Sequence, residues 1–527
     1  MTVTTAPRSP ADHRPTLPRH VRVAIVGAGF GGLAAAKALR EAGITDLVIL
    51  ERRDGLGGTW WDNTYPGVAC DIPSHLYSFS FAPNPDWSRT FASGPEIQQY
   101  LEQVTDRFDL RGSIRFGTTV TSARWQDDDC RWRLGTSHGD LSADILVAAT
   151  GPLSQPSVPD IPGLAEFPGQ AFHTAAWRSD VDLTGKRVAV VGTGASAVQV
   201  VPKIQPQVAT LTLFQRTPPW VLRKGDRRIS NTERAAFRRF PALQRLARAA
   251  DYLSREIQVG GFVGHPAVMK LPQRLALLNL ARQIRDPQLR AKVTPSYRFG
   301  CKRVTPSNRY YPALAQPNVT VVPAALERVE GQVLVGSDGS RQPVDVIVLA
   351  TGFAVTDPAL GRLVTGRDGR TLAQAWRQSG LQALRGTTIA GFPNLFTMIG
   401  PNTGLGHNSM VYMIESQLPY LVGAIRAMDR EQIAAIEPTA AAQQRWNDRL
   451  QGRMPNTVWM SGGCVSWYQD AAGRVTTLWP YSTLRFRREL SRFDPHEYTR
   501  IRRPPQPVHQ AVHQPVHQPT LRQEATR

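Results

Sequence analysis

The sequence predicts a mostly parallel α/β fold, wound twice in one chain, and three observations carry that reading. An apolar run, a glycine cluster, a helical stretch and a second apolar run follow one another in order, and the whole arrangement occurs twice. Each unit is answered further on by an apolar strand ending in the same tripeptide, Ala149-Thr150-Gly151 and Ala350-Thr351-Gly352. With 527 residues, the chain has room for two to four domains.

Taken in order, Val21–Val26 reads as a strand, followed by a glycine cluster, a helix to about Ala42 and a strand over Asp46–Leu50 that runs into Glu51. Lys186–Val191, a second glycine cluster, a helix to about Ile204 and the strand Thr210–Phe214 repeat this. Ile145–Ala148 and Val344–Leu349 are the strands before the two tripeptides. The stretch Ser230–Lys292 is rich in Ala, Leu, Arg and Gln, with Leu243, Leu246, Ala250 and Leu253 at helical spacing, which predicts a basic helical insertion. Basic amphipathic helices can lie on membranes; the plainer reading, adopted here, is packing on the neighbouring domain with a solvated outer face.

The expected layout is a Pro-rich, polar and disordered arm over residues 1–20 and a first domain split between 21–152 and 385–500. A second domain spans 153–384, with the helical insertion at about 225–298. Residues 501–527 form a Pro/Gln/His-rich tail containing His509, His513 and His517; its prolines deny a helix, so a disordered tail is expected there and not a metal site.

Composition excludes other classes. Hydrophobic residues make up 41% and charged residues 20%, which is globular rather than disordered. No run of eighteen apolar residues occurs, and the N-terminus lacks the apolar core of a signal peptide. Cys70, Cys130, Cys301 and Cys464 lie far apart with no C-x-x-C, so neither a disulfide framework nor a zinc site is expected. The chain reads as cytoplasmic. Its net charge is +20, from 62 basic and 42 acidic residues, and only seven of the 62 are lysine, a skew read as a codon-composition effect. The excess is concentrated nonetheless: 19 basic and 5 acidic residues fall between Val221 and Arg303. Nucleic acid and anionic membrane are conceivable partners of such a segment, but a dinucleotide is also an anion; no nucleic-acid partner and no membrane span is expected.

The first glycine cluster, Gly27-Ala28-Gly29-Phe30-Gly31-Gly32, is G-x-G-x-x-G between strand and helix. Gly27 allows the tight turn, Gly29 lets the backbone approach a pyrophosphate, and Gly32 allows close helix–strand packing. The helix N-terminus presents free N–H groups to the phosphates. Glu51 follows Gly29 by 22 positions, at the end of the next strand. A carboxylate there accepts hydrogen bonds from ribose hydroxyls and repels a 2′-phosphate, which fits FAD or NAD. The second cluster, Gly192-Thr193-Gly194-Ala195-Ser196-Ala197, has Arg216 at the same offset from Gly194, and a guanidinium there pairs with a 2′-phosphate, which fits NADPH. Two Rossmann-like dinucleotide-binding domains of opposite preference, FAD and NADP, suit a flavin reduced by a nicotinamide.

Residues 57–71 (GGTWWDNTYPGVACD), the pattern Phe167, Gly169, His173, Trp177 within FPGQAFHTAAW, and Gly300-Cys301-Lys302-Arg303 add to this. Together, from about Val21 to Arg488, they resemble the type I Baeyer–Villiger monooxygenases, flavoenzymes that insert one oxygen atom of O2 beside a ketone carbonyl through a C4a-peroxyflavin. The resemblance implies FAD and NADPH as cofactors, a small-molecule ketone as substrate and an ester or lactone as product. It implies FAD-site roles for Gly58, Thr59, Trp60, Asp71 and Tyr77, with Met410 as a backbone contact. By the same resemblance Arg216, Thr217 and Lys302 contact the NADPH phosphate, and Trp467 contacts the nicotinamide ribose. Arg303 matches the catalytic arginine over the flavin, with Asp71 orienting it. An always-charged guanidinium stabilises a peroxide anion without being able to protonate it. His173 is read as a hinge or packing residue and not as a general base; Trp177 stays open between core and function. Two departures stand out: Arg178, where the family often has Pro or Asp, and the stretch YQDAAGRVTTLWP after Trp467. The rival readings are an N- or S-oxygenating flavin monooxygenase and, more remotely, a basic flavoprotein binding module with a vestigial redox site.

Overall fold

The computed structural model describes residues 17–358 and 360–502, so the His-containing repeat of the tail and the first sixteen residues lie outside the described residues. At both ends the described residues reach into segments expected to be disordered. Leu17 packs on a hydrophobic cluster, and the first strand begins at His20, opposite Ser142. At the other end Ile501 and Arg502 belong to the strand Tyr498–Arg502, antiparallel to Ile433–Pro438.

The first sheet is built around His20–Val26, which pairs in parallel with Leu47–Leu50 on one side and Gly139–Ala148 on the other. The strand Leu47–Leu50 is buried along its whole length, as a continuous apolar run in a parallel sheet covered on both faces should be. Arg131–Thr136 extends the sheet antiparallel to Gly139–Ala148, and Val120–Gln126 pairs antiparallel with Arg131–Thr136 in turn. Leu395–Thr397 returns from late in the chain to pair with the end of that same strand, so the first sheet is completed from two distant stretches of sequence. The second sheet is five parallel strands in the order Val319–Val322, Thr210–Phe214, Arg187–Val191, Val346–Leu349 and Gln170–His173.

The recurring tripeptides have a packing reason. Gly27 and Gly192 both have positive φ, +105° and +110°. A Cβ on Gly27 would stand 2.7 Å from the Ala149 carbonyl oxygen, and one on Gly192 would stand 2.4 Å from that of Ala350. Each glycine turn therefore sits on the backbone of its own Ala-Thr-Gly. Just beyond these tripeptides the chain crosses between the two sheets, and the crossings run side by side. Ser157 N donates to Gly352 O at 2.9 Å, and Ala354 N to Gln155 O at 3.0 Å.

The insertion is helical, with Asn231–Arg239, Pro241–Glu256, Lys270–Gln283 and Pro287–Val293 as its longer helices. It packs on its neighbours through its polar side, and its apolar stripe faces outward. Leu243, Leu246 and Leu253 are 45%, 66% and 55% exposed, whereas Gln244 and Glu256 are buried. The reason is that the polar side of Pro241–Glu256 has better partners inside. Gln244 Nε2 donates to Asn84 O at 2.6 Å, and Arg248 donates to His75 O at 2.7 Å and to Ser78 O at 2.8 Å. The Glu256 carboxylate accepts from Thr483 N and Thr483 Oγ1, both at 2.7 Å. Among the described residues, no helix is long and apolar enough to cross a membrane.

Candidate active site

The helix Phe30–Glu41 starts at the first turn, where Gly29 has no side-chain cap, so its first N–H groups are open to a ligand. A Cβ on Gly32 would lie 1.8 Å from Gly27 O, which makes glycine obligatory there. Glu51 is buried and closes the turn from below: its Oε2 accepts from Ala28 N at 2.8 Å and its Oε1 from Arg53 N at 2.9 Å. Burial raises its pKa above the usual carboxylate range, against the pull of those two N–H groups. The segment 57–71 then folds over the turn. Gly58, at φ +56°, brings its Cα to within 3.7 Å of where a Gly29 Cβ would be. Thr59 opens the short helix Thr59–Asp62. Trp60 Nε1 donates to Tyr77 Oη at 3.3 Å, and the Tyr77 ring meets Phe30 edge-on at 5.2 Å. Met410 is the first residue of Met410–Arg430, which packs along Phe30–Glu41. The backbone room at Gly29 and Gly58, the open helix start and the buried acid suit the pyrophosphate and ribose of FAD.

From there the segment runs to the second unit. Tyr65 Oη donates to Gln199 Oε1 at 2.8 Å, and Gln199 Nε2 donates to Ala69 O at 2.9 Å, Gln199 being on the helix Ala195–Ile204 that follows the second glycine turn. Gln199 carries no motif, and the sequence reading missed it. The segment ends at Asp71, whose carboxylate accepts two bonds from Arg303: Nε to Oδ2 at 2.8 Å and Nη2 to Oδ1 at 2.7 Å. Arg303 Nη1 also donates to Leu405 O at 3.4 Å. Burial pushes the Asp71 carboxyl up, but the charge and hydrogen bonds of Arg303 outweigh it, helped by Arg255 and Lys224, and the net shift is downward. Arg303 is held above its already high value, chiefly by the Asp71 charge. The pair is a fork-to-fork ion pair that fixes the guanidinium plane.

Three further groups around this pair were not foreseen. Lys224 Nζ donates to Cys70 O at 3.3 Å, and burial lowers its pKa. Arg255 comes from the inner side of the insertion and feels the charge of Asp71. The Tyr468 hydroxyl is buried with no hydrogen-bond partner among the described residues, and burial pushes its pKa up to about 12, against the lowering pull of Arg303.

At the second turn, Gly194 has open space where a Cβ would be, and Ala197 is fully buried, taking the place that Gly32 holds in the first. Thr193 Oγ1 donates to Thr217 O at 2.8 Å, which ties the turn to the loop carrying Arg216. Arg216 is exposed, and with Thr217 and Lys302 it lines a cleft of about 440 Å³. Burial and then the charge of Arg216 hold the Lys302 ammonium below its ordinary pKa, an arrangement that an added phosphate would relieve. Cys464 and Val465 complete the rim of that cleft, and Trp467, 46% exposed, lies just beyond them against Tyr468.

The expectation of no disulfide is overturned at this rim: Cys301 and Cys464 are bonded, with Cα atoms 6.2 Å apart across 163 positions of sequence. The bond fastens the Trp467 loop to the residue before Lys302 and Arg303. Cys70 and Cys130 are buried outside that bond, and no group of residues able to hold a metal is found among the described residues. His173 Nδ1 accepts from Ala175 N at 3.0 Å, and its ring meets Phe353 at 5.9 Å, next to the paired crossings. Trp177 is half-buried against Phe172 in the core of the second sheet.

Two nucleotide turns of opposite charge preference, bridged by one segment that ends on a fixed arginine, are the layout of a flavoprotein that draws electrons from a nicotinamide. Comparison with known proteins sharpens that class. A family model described as pyridine nucleotide-disulphide oxidoreductase matches residues 24–240. A Baeyer–Villiger monooxygenase of Streptomyces coelicolor is 54% identical over 490 residues, spanning 93% of this chain and 94% of its own. Among solved structures, a steroid monooxygenase bound to NADP superposes with a TM-score of 0.79 at 31% identity, covering 92% of this chain and all of its own. A closed cyclohexanone monooxygenase gives 0.81 at 30%, covering 92% and 99%. The chain belongs to the Baeyer–Villiger monooxygenase family.

Proposed function

We infer that this protein is an NADPH- and O2-dependent flavin monooxygenase that converts a ketone to an ester or lactone, with NADP+ and water as the other products. The observation that carries this reading is the Arg303–Asp71 pair, held between the two nucleotide turns. Bound FAD, reduced by NADPH, supplies the activated oxygen. The residues of the chain do the rest. Arg303 places a permanent positive charge where negative charge develops on the oxidant and on the attacked carbonyl, and has no proton to release at neutral pH. Asp71 fixes its plane. Gly27, Gly29, Gly32, Glu51, Gly58, Thr59, Trp60, Tyr77 and Met410 hold FAD. Gly192, Gly194 and Ala197 shape the second turn, and Arg216, Thr217 and Lys302 take the 2′-phosphate of NADPH. Trp467 covers the nicotinamide end. A cytoplasmic address, where NADPH is made, fits this reading.

The test is product analysis by mass spectrometry, with protein, FAD, NADPH, air and a panel of linear, cyclic and aryl ketones plus one aryl sulfide. An ester or lactone one oxygen heavier than its ketone is expected, and Arg303→Ala should lower its formation by about 100- to 1000-fold, as loss of a charge-stabilising donor does. Sulfoxide with no ester from any ketone would assign the heteroatom-oxygenating activity instead.

A further inference from the structure

The insertion presents its apolar residues to solvent in an ordered way. Leu243, Leu246, Leu253 and Ile257 recur at helical spacing along one side of Pro241–Glu256 and just beyond it, and Ile257 is 75% exposed. On Lys270–Gln283 the residues Leu271, Leu275 and Leu278 do the same, at 64%, 52% and 52%. Of the sixteen large hydrophobic residues exposed among the described residues, ten fall between Phe240 and Leu278. The helix cannot roll these inward, because Gln244, Arg248 and Glu256 are already committed to buried partners on the opposite side.

What covers such a face is decided by charge. Arg245, Lys270, Arg274 and Arg282 stand exposed beside the leucines, and among the described residues none of them forms an ion pair. The stretch Val221–Arg303 holds 19 basic against 5 acidic residues. A second copy of the chain would bring like charges together, and a nucleic acid would leave the leucines in water. A bilayer rich in anionic phospholipid satisfies both features at once: its headgroups pair with the arginines, and its acyl boundary accepts the leucines. We propose that the helical insertion is a docking surface for an anionic phospholipid bilayer, on which the enzyme sits without spanning it.

The experiment is co-sedimentation of the FAD-loaded, full-length enzyme with phosphatidylcholine vesicles, with and without phosphatidylserine. Phosphatidylserine should raise the bound fraction at least about tenfold at low salt, and added salt should reduce it steeply. The double variants Leu246→Glu/Leu253→Glu and Leu271→Glu/Leu275→Glu should keep FAD and turnover in solution while losing binding by about tenfold or more, because these side chains already face water. The proposal is overturned by failure to sediment with phosphatidylserine vesicles at low salt, or by binding that both glutamate variants leave unchanged. It is also overturned by a concentration-dependent dimer in light scattering that the same variants dissociate, which would give the face to a second copy.

Discussion

Around Gly29 the chain folds back on itself, with Gly58 drawn close overhead and Glu51 buried beneath. Around Gly194 no atom would come within 4 Å of an added Cβ, and Arg216 stands in the open. The first helix cannot bear even a methyl group at Gly32, while the second accommodates one at Ala197. The same turn, used twice, has thus been closed once and left open once. A closed turn suits a cofactor that stays for the life of the protein, and an open one suits a cofactor that arrives and leaves with each turnover.

The contrast can be broken most severely at Gly32. Gly32→Ala should empty the first site, lowering the flavin-to-protein ratio of purified protein by more than about tenfold, because the clash is with backbone that has nowhere to go. Ala197→Gly, the converse change at the matching place, should cost only about 1 kcal/mol and leave FAD bound. A Gly32→Ala protein with full flavin absorbance would show that the closed turn is not close-packed after all.

The next effect belongs to the pair between the turns. Asp71→Asn leaves Arg303 without its counter-charge, and about 3 kcal/mol of stability should be lost at neutral pH, the lower end for a pair that is not wholly enclosed. Because Asp71 is held below its ordinary value of 3.8, its contribution is complete above that pH and fades as pH falls through the lower folded value. Urea unfolding from pH 6 downward should therefore show the gap between wild type and variant closing only in strong acid. A gap that closes near pH 6 would point to another titrating group.

The open turn gives the smaller effects. Arg216→Gln should raise KM for NADPH roughly tenfold and leave KM for NADH and flavin content unchanged, as expected for loss of one charge-assisted phosphate contact. Lys302→Ala should raise the same constant by only about threefold, since part of its contact is screened. Equal effects of Arg216→Gln on NADPH and NADH would mean that the arginine does not read the 2′-phosphate.

Local features were legible in the sequence and long-range ones were not. The parallel strands announced themselves because burial on both faces requires unbroken apolar runs, and the turns because positive φ and close approach require glycine. The charges of Glu51 and Arg216 could be placed because strand and helix lengths fix the offset from the glycine turn. The helical insertion was legible from its spacing, but the outward facing of the leucines of Pro241–Glu256 was not, for a physical reason. An apolar stripe shows which side of a helix differs, but where the polar side carries Gln244, Arg248 and Glu256 with buried partners waiting, the stripe does not say which side is in. The Cys301–Cys464 bond was invisible because its two halves are brought together only by the completed fold, and Gln199, Lys224 and Arg255 carry no motif that would mark them.

The two crossings between the sheets are hydrogen-bonded to each other, Ser157 to Gly352 and Ala354 to Gln155. A stretch of about two hundred residues is therefore entered and left through a single doorway. Such a stretch is a cassette: it could be lifted out, or exchanged for a relative's, and the host chain rejoined across a gap a few residues wide. The same doorway sets the mechanics of whatever it joins, since two strands laced side by side permit twisting about their common axis and resist being pulled apart.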